Sequence, residues 1–358
     1  MKPLRIVASL LGLALAATAG VPAAAGFVDV LDTPAVMSPL ASRSLIQAIA
    51  KAGDRIVAVG QRGHIVVSSD NGATWKQSPV PVSSDLTAVY FVDAREGWAT
   101  GHDGVILHTA DGGDTWALQL NGRTVNELLV KSMEAKVAGE PASDDAKKLL
   151  AEAQRYKEQG ADKPFLDVWF ADAKNGYAVG AYNLIFRTSD GGTSWESWFD
   201  RTDNPKFFNL YSIRPAGGDV YIAGEGGILL KLDRAAQRFK AQTSGYNGSF
   251  FGIAEAGNAA IAFGLRGNAY RTDNAGATWI KVETGLPGAI TAAARTSQGA
   301  LLLADVGGRV VRSTDGGRTF AALAIAQPAP LTAIADLGDG RIVQAGPRGV
   351  AVSTATIR

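Results

Sequence analysis

A short motif ending in an aromatic residue recurs along the chain. It occupies residues 68–75 (SSDNGATW), 109–116 (TADGGDTW), 188–195 (TSDGGTSW), 272–279 (TDNAGATW) and 313–320 (STDGGRTF). The copies stand one or two periods of about 40 residues apart, the period of a four-stranded propeller blade. A degenerate copy at 231–239 (KLDRAAQRF) fills one double gap. The other double gap holds an insertion.

A second marker keeps the same register. Ahead of each motif lies a short strand-like run: LIQAIA from Leu45, LTAVYF from Leu86, FLDVWF from Phe165, NLYSIR from Asn209, FFGIAE from Phe250, AITAAA from Ala289 and LTAIAD from Leu331. A second run ending in small residues follows (RIVAVG, GWATG, GYAVG), then a Gly turn and a third run (HIVVSS, VILHTA). Such runs are rich in β-branched and aromatic residues and too short for helices. The expected fold is therefore all-β, a seven-bladed β-propeller with four-stranded blades, one domain over 26–358. The seventh unit reaches Arg358 without a fourth strand. Residues 27–36 (FVDVLDTPAV) are expected to supply it, an N-terminal strand closing the last blade.

The recurring motif is an Asp box, and its residues read as structural. Asp70, Asp111, Asp190 and Asp315, with Asn274 in the fifth blade, can accept backbone N–H groups in a tight turn. Trp75, Trp116, Trp195, Trp279 and Phe320 can pack on the adjoining hairpin. With one box per blade, the carboxylates cannot converge on a catalytic centre. The basic residues just before the boxes (His108, Arg187, Arg271, Arg312) are expected to pack between blades.

Residues 121–163 interrupt the repeat. Helices are expected over 125–137, with Leu128, Leu129 and Met133 inward, and from a cap at Ser143 or Asp144 to Gln159, with Gly160 as the stop. This α-helical hairpin should lie on one rim of the propeller, on the face opposite the Asp boxes.

Composition narrows the function. The net charge of +1 on 358 residues argues against a nucleic-acid partner. The absence of cysteine excludes disulfide and thiolate chemistry, and three histidines make a metal centre unexpected. No cofactor is implied. Residues 1–25 read as a cleavable signal peptide: Lys2 and Arg5, an uncharged apolar stretch over 6–19, then Ala23-Ala24-Ala25. The mature chain would be periplasmic or secreted (lumenal in a photosynthetic organism), monomeric, and without a membrane span.

Propeller ligands gather where the turns between second and third strands surround the channel. Arg62, Arg266 and Arg348 share one repeat position there, a basic arc suited to carboxylates or an acidic partner. His64, His102, Asp103, Tyr182 and Glu225 are expected on the same face. All eight form the candidate partner-binding set.

The pairing of GWATG or GYAVG with VILHTADGGDTW or LIFRTSDGGTSW resembles the photosystem II stability/assembly factor family, over nearly all of 45–358. The resemblance implies an exported, non-enzymatic propeller that acts on a membrane protein complex or its assembly intermediate. It also implies an arginine-rich binding face, for which Arg62, Arg266 and Arg348 are the candidates. Two other readings remain open. A sialidase-like or other glycoside hydrolase would use the arginines with Tyr182, Glu225 and Asp103, although the Arg-Ile-Pro signature of sialidases is absent. A third reading is a propeller that binds a small molecule in its channel.

Overall fold

The computed structural model describes residues 28–326 and 328–357; the expected signal peptide lies outside them. Seven blades follow one another in chain order. Their inner strands are Ile46–Ala52, Leu86–Phe91, Phe165–Phe170, Leu210–Ala216, Phe250–Ala256, Ile290–Arg295 and Ala333–Asp336. Each packs against the inner strands on either side, and the seventh packs against the first. Blades one to five are separate four-stranded antiparallel sheets. The second strands, such as Arg55–Gly60 and Gly97–Gly101, are covered by neighbouring blades on both faces and are almost wholly buried. That double burial is why they read as continuous apolar runs rather than alternating ones.

The core is a series of layers between blades. Val57, Val59 and Val67 of blade one meet Val89, Leu107 and Trp116 of blade two. Trp169, Tyr177 and Trp198 of blade three meet Ile213, Ile222 and Phe239 of blade four. Each Asp box sits on the blade before it. A Cβ on Gly113 would lie 3.2 Å from Val57, and one on Gly317 would lie 2.5 Å from Ile261. Blade six's box also takes a hydrogen bond from Arg271 Nε to Gly316 O, at 2.7 Å. Arg271 thus bridges blades as expected. His108 and Arg187 instead pair within their own blades, with Glu96 and Glu196.

The box chemistry follows the sequence reading. The Asp70 carboxylate accepts the Thr74 N–H at 2.9 Å and the hydroxyls of Thr74 and Ser68 at 2.5 and 2.7 Å. Asn274 accepts the Thr278 N–H at 3.0 Å and donates to the Thr278 hydroxyl at 2.8 Å. The degenerate turn of blade four keeps one such bond, from Ala236 N–H to Asp233, and buries Phe239.

Near the start of most inner strands a β-bulge shifts the register, for example between Leu86 and Ala88. It turns one side chain per blade toward the axis. Gln47, Thr87, Leu166, Tyr211, Phe251, Thr291 and Thr332 thus line the central channel, a cavity of about 190 Å³. Three of these side chains tie neighbours together. The hydroxyls of Thr87, Thr291 and Thr332 donate to the carbonyls of Phe165, Leu331 and Ile46, at 2.7, 2.9 and 2.6 Å.

The closing of blade seven differs from expectation. Residues 28–36 form no strand there. The Asp29 carboxylate accepts the Leu31 N–H and caps a single 3-10 turn, Val30–Asp32. The segment then lies along the link between blades one and two, with Ala35 N–H bonded to Val80 O and Ser83 N–H to Val30 O. The local cap overrides the β-propensity of a valine-rich stretch. Blade seven keeps three strands. The end of its last strand, Gly349–Ile357, crosses to pair with Ala321–Ile325 of blade six. The ring is closed by packing. Trp75 and Val352 both pack on the cluster of Ile56, Ala335 and Val343, and the turn Ala41–Arg43 abuts Gly349.

The insertion is a helical hairpin, α1 (Gly122–Gly139) and α2 (Asp144–Gln159). Asn121 caps α1, the Ser143 hydroxyl accepts the Ala146 N–H, and Gly160 ends α2 at φ +91°. Leu129, Met133, Ala153 and Tyr156 are buried against Phe165, Phe186 and Phe199, while Leu128 is only partly covered. The hairpin lies over blades two and three on the predicted face. Arg123 fastens its start to Asp29 and Asp32.

Candidate docking face

In blades one to five the turns between second and third strands share one geometry, a single 3-10 turn whose middle residue is left-handed: Arg62, Asp103, Tyr182, Gly226 and Arg266, with φ between 53° and 62°. Blade seven differs: Gly346 pairs with Gly349, so Arg348 stands in a tight hairpin turn and is not left-handed. Of the five left-handed residues, only one is glycine. A left-handed conformation costs a side-chain-bearing residue about 1–2 kcal/mol. The surroundings impose it. The N–H of Arg62 bonds to the Asp85 carboxylate at 2.7 Å, that of Tyr182 to Asn209 Oδ1 at 2.9 Å, and that of Gly226 to Ser249 Oγ at 3.4 Å. In each case the acceptor stands just before the next blade's inner strand. The turn is thus clasped from the neighbouring blade, and its apex side chain points outward.

The candidate residues divide by surroundings. Arg62, Arg266 and Arg348 are exposed and form no ion pair among the described residues. His102 is also exposed. Asp103 is half-buried beside the start of α1, where its carbonyl would meet a Cβ on Gly122 at 2.8 Å. The Tyr182 ring stays half-exposed, and its carbonyl accepts the Tyr156 hydroxyl at 3.1 Å. The Lys163 ammonium lies over both tyrosine rings. Glu225 is half-buried and accepts the Asn209 N–H at 3.1 Å, which places it in the loop scaffold.

His64 does not belong to the exposed set. It is 7% exposed, and its Nδ1 lies 3.0 Å from the Ser44 hydroxyl. Burial, then the nearby Arg62 charge, push its pKa down. Its repeat position carried part of the signal: the matching residues are Val105, Leu184 and Ile228, with Asn268 in blade five.

Sequence reasoning missed a buried pair beside the channel. Asp167 of blade three accepts the Ile213 N–H at 2.8 Å and Arg214 Nη1 at 2.6 Å, joining it to blade four. Burial pushes the Asp167 pKa up, against the pull of Arg214 and the amides of Ile213 and Val168. The Arg214 guanidinium also lies 5.6 Å from the Tyr90 ring of blade two. Among the described residues, no cluster of His, Asp and Glu could hold a metal ion, and no helix is long and apolar enough to cross a membrane.

Fold and face together define a class: an Asp-box β-propeller whose rigid turns present side chains on the face opposite the boxes. Residues 36–139 and 151–309 match the family model of the photosynthesis system II assembly factor YCF48. The chain belongs to that family. It is 28% identical over 137 residues to the photosystem II assembly lipoprotein Ycf48 of Synechococcus sp. (strain CC9902), covering 37% of this chain and 41% of that protein. It is 23% identical over 179 residues to the chloroplastic photosystem II stability/assembly factor HCF136 of Oryza sativa subsp. japonica, covering 48% of this chain and 38% of that protein. The matches thus span less than half the length of these relatives. Among solved structures, YCF48 bound to D1 peptide superimposes with a TM-score of 0.61 at 14% identity, over 87% of this chain and 94% of that one. YCF48 from Cyanidioschyzon merolae gives 0.59 at 18% identity, over 88% and 97%. At these identities the structures show the shared propeller fold.

Proposed function

We propose that this protein is a non-enzymatic, exported assembly or stability factor for a membrane protein complex. In this reading it binds a segment of an integral membrane subunit through the face opposite its Asp boxes. The observation that carries the reading is that Arg62, Tyr182 and Arg266 are exposed side chains held in left-handed turns on one face. Strained, outward-pointing residues repeated around one face suit a rigid recognition surface. Family membership supports the assembly role, and a solved relative is described with a D1 peptide bound. Arg62, Arg266 and Arg348 are assigned to acidic or carboxylate groups of the client, with His102, Asp103 and Tyr182 flanking them. Glu225 and Asp103 are assigned no hydrolytic role, since Glu225 is committed to the Asn209 amide.

Capture from detergent-solubilised membranes tests this. The wild-type protein should retain one integral membrane subunit reproducibly, and Arg62→Glu/Arg266→Glu/Arg348→Glu should release it. Retention unchanged by the triple substitution would move the client off this face. Sialoside hydrolysis lost in Glu225→Gln would replace the reading with an enzymatic one.

A further inference from the structure

The seven turns of the docking face form two arcs of different chemistry. Their first two residues, in blade order from five through seven to one, are Leu265-Arg266, Val306-Gly307, Pro347-Arg348 and Gln61-Arg62. Blades two to four carry His102-Asp103, Ala181-Tyr182 and Glu225-Gly226 instead, and the helical hairpin packs beside the first two of these. The five-to-one arc therefore carries three arginines and three aliphatic residues, Leu265, Val306 and Pro347, without an acidic one at these positions. Leu265 and Val306 are 37% and 49% exposed. Beside blade one, Val36 and Leu40 are 71% and 59% exposed, and Arg43 adjoins the blade seven turn at Gly349. The opposite face carries the Asp-box carboxylates.

We infer that the five-to-one arc rests on an anionic lipid surface. Leu265, Val306 and Pro347 stand one to a turn, beside arginines that form no ion pair among the described residues. Single apolar points among unpaired cations suit the headgroup region, where aliphatic groups enter the acyl boundary and guanidinium groups meet phosphate. A protein partner would favour a contiguous apolar patch. Equivalent repeat positions lie at equal height on a propeller, so the turn residues can touch one plane together. The inference rests on the functional reading in one respect: the same arginines meet lipid phosphate before the client is engaged and its carboxylates afterwards.

The test is flotation of the purified protein, without its leader, with vesicles of phosphatidylglycerol and phosphatidylcholine. Wild type should float with mixed anionic vesicles, not with pure phosphatidylcholine, and lose binding as salt rises. Arg62→Glu/Arg266→Glu/Arg348→Glu should weaken partitioning roughly 100-fold. Leu265→Ser/Val306→Ser/Leu40→Ser should weaken it about tenfold. Arg234→Glu, on the Asp-box face, should leave it unchanged. Absence of flotation, or flotation indifferent to the arginine substitutions, overturns the inference. If client capture still depends on the arginines in that case, the arc touches protein alone and the functional reading stands. If flotation behaves as expected while no client is captured, the functional reading falls and the lipid contact remains.

Discussion

At the scale of single residues, the Asp boxes show a carboxylate used as a turn staple. The Ser194 hydroxyl and then its amide donate to Asp190 and hold its pKa at about 2, below the ordinary 3.8. A depressed carboxylate stabilises the fold above its unfolded pKa, and that contribution fades as pH falls toward the folded value. The melting temperature should therefore decline between about pH 4 and pH 2 as the boxes are protonated. Asn274 already performs this task without a charge, so Asp190→Asn should be nearly silent at pH 7 and should reduce the acid sensitivity. Asp190→Ala should cost about 1 kcal/mol in urea denaturation, a modest figure because the site is open to water. These roles were legible from the motif. The burial of His64 was only partly legible in the column of equivalent positions, where valine, leucine and isoleucine stand in blades two to four and asparagine in blade five.

At the scale of elements, strands and the hairpin were readable because their signals are local: short apolar runs, Gly turns, and a Ser cap three residues before a buried alanine. The links between elements were not. Asp167 and Arg214 stand in different blades, and nothing periodic marks them. Their pair joins two inner strands, and a buried carboxylate left alone is costly. Arg214→Met should destabilise the protein by about 2–3 kcal/mol, less than a fully buried pair would lose because the arginine is partly exposed. Adding Asp167→Asn should recover part of that loss. Additive effects in the double-mutant cycle would show that the pair is not coupled.

At the scale of the whole molecule, the blade count followed from the period, whereas the manner of closure did not. A valine-rich start looked like a missing strand, but Asp29 caps a turn there and Pro34 has no N–H to give a ladder. Closure depends instead on close backbone approach. Gly349 has φ +92°, and a Cβ on it would lie 2.1 Å from the Ser42 carbonyl. Gly349→Ala should therefore lower stability by more than about 2 kcal/mol. Hydrogen exchange should then rise first in residues 41–60 and 333–352. Uniform loss of protection around the ring would contradict a local seam.

That seam also sets an order in time. Six of the seven interfaces join blades that follow directly in the chain, so they can form as each blade completes. The last one, marked by the Thr332–Ile46 bond, spans 286 positions and must wait for the final blade. Distant contacts of this kind carry the largest loop-closure penalty and form late. Until then, Ile46, Ile56, Val66 and Trp75 present an open apolar flank, the surface by which an unfinished chain would stick to another or be recognised by a chaperone.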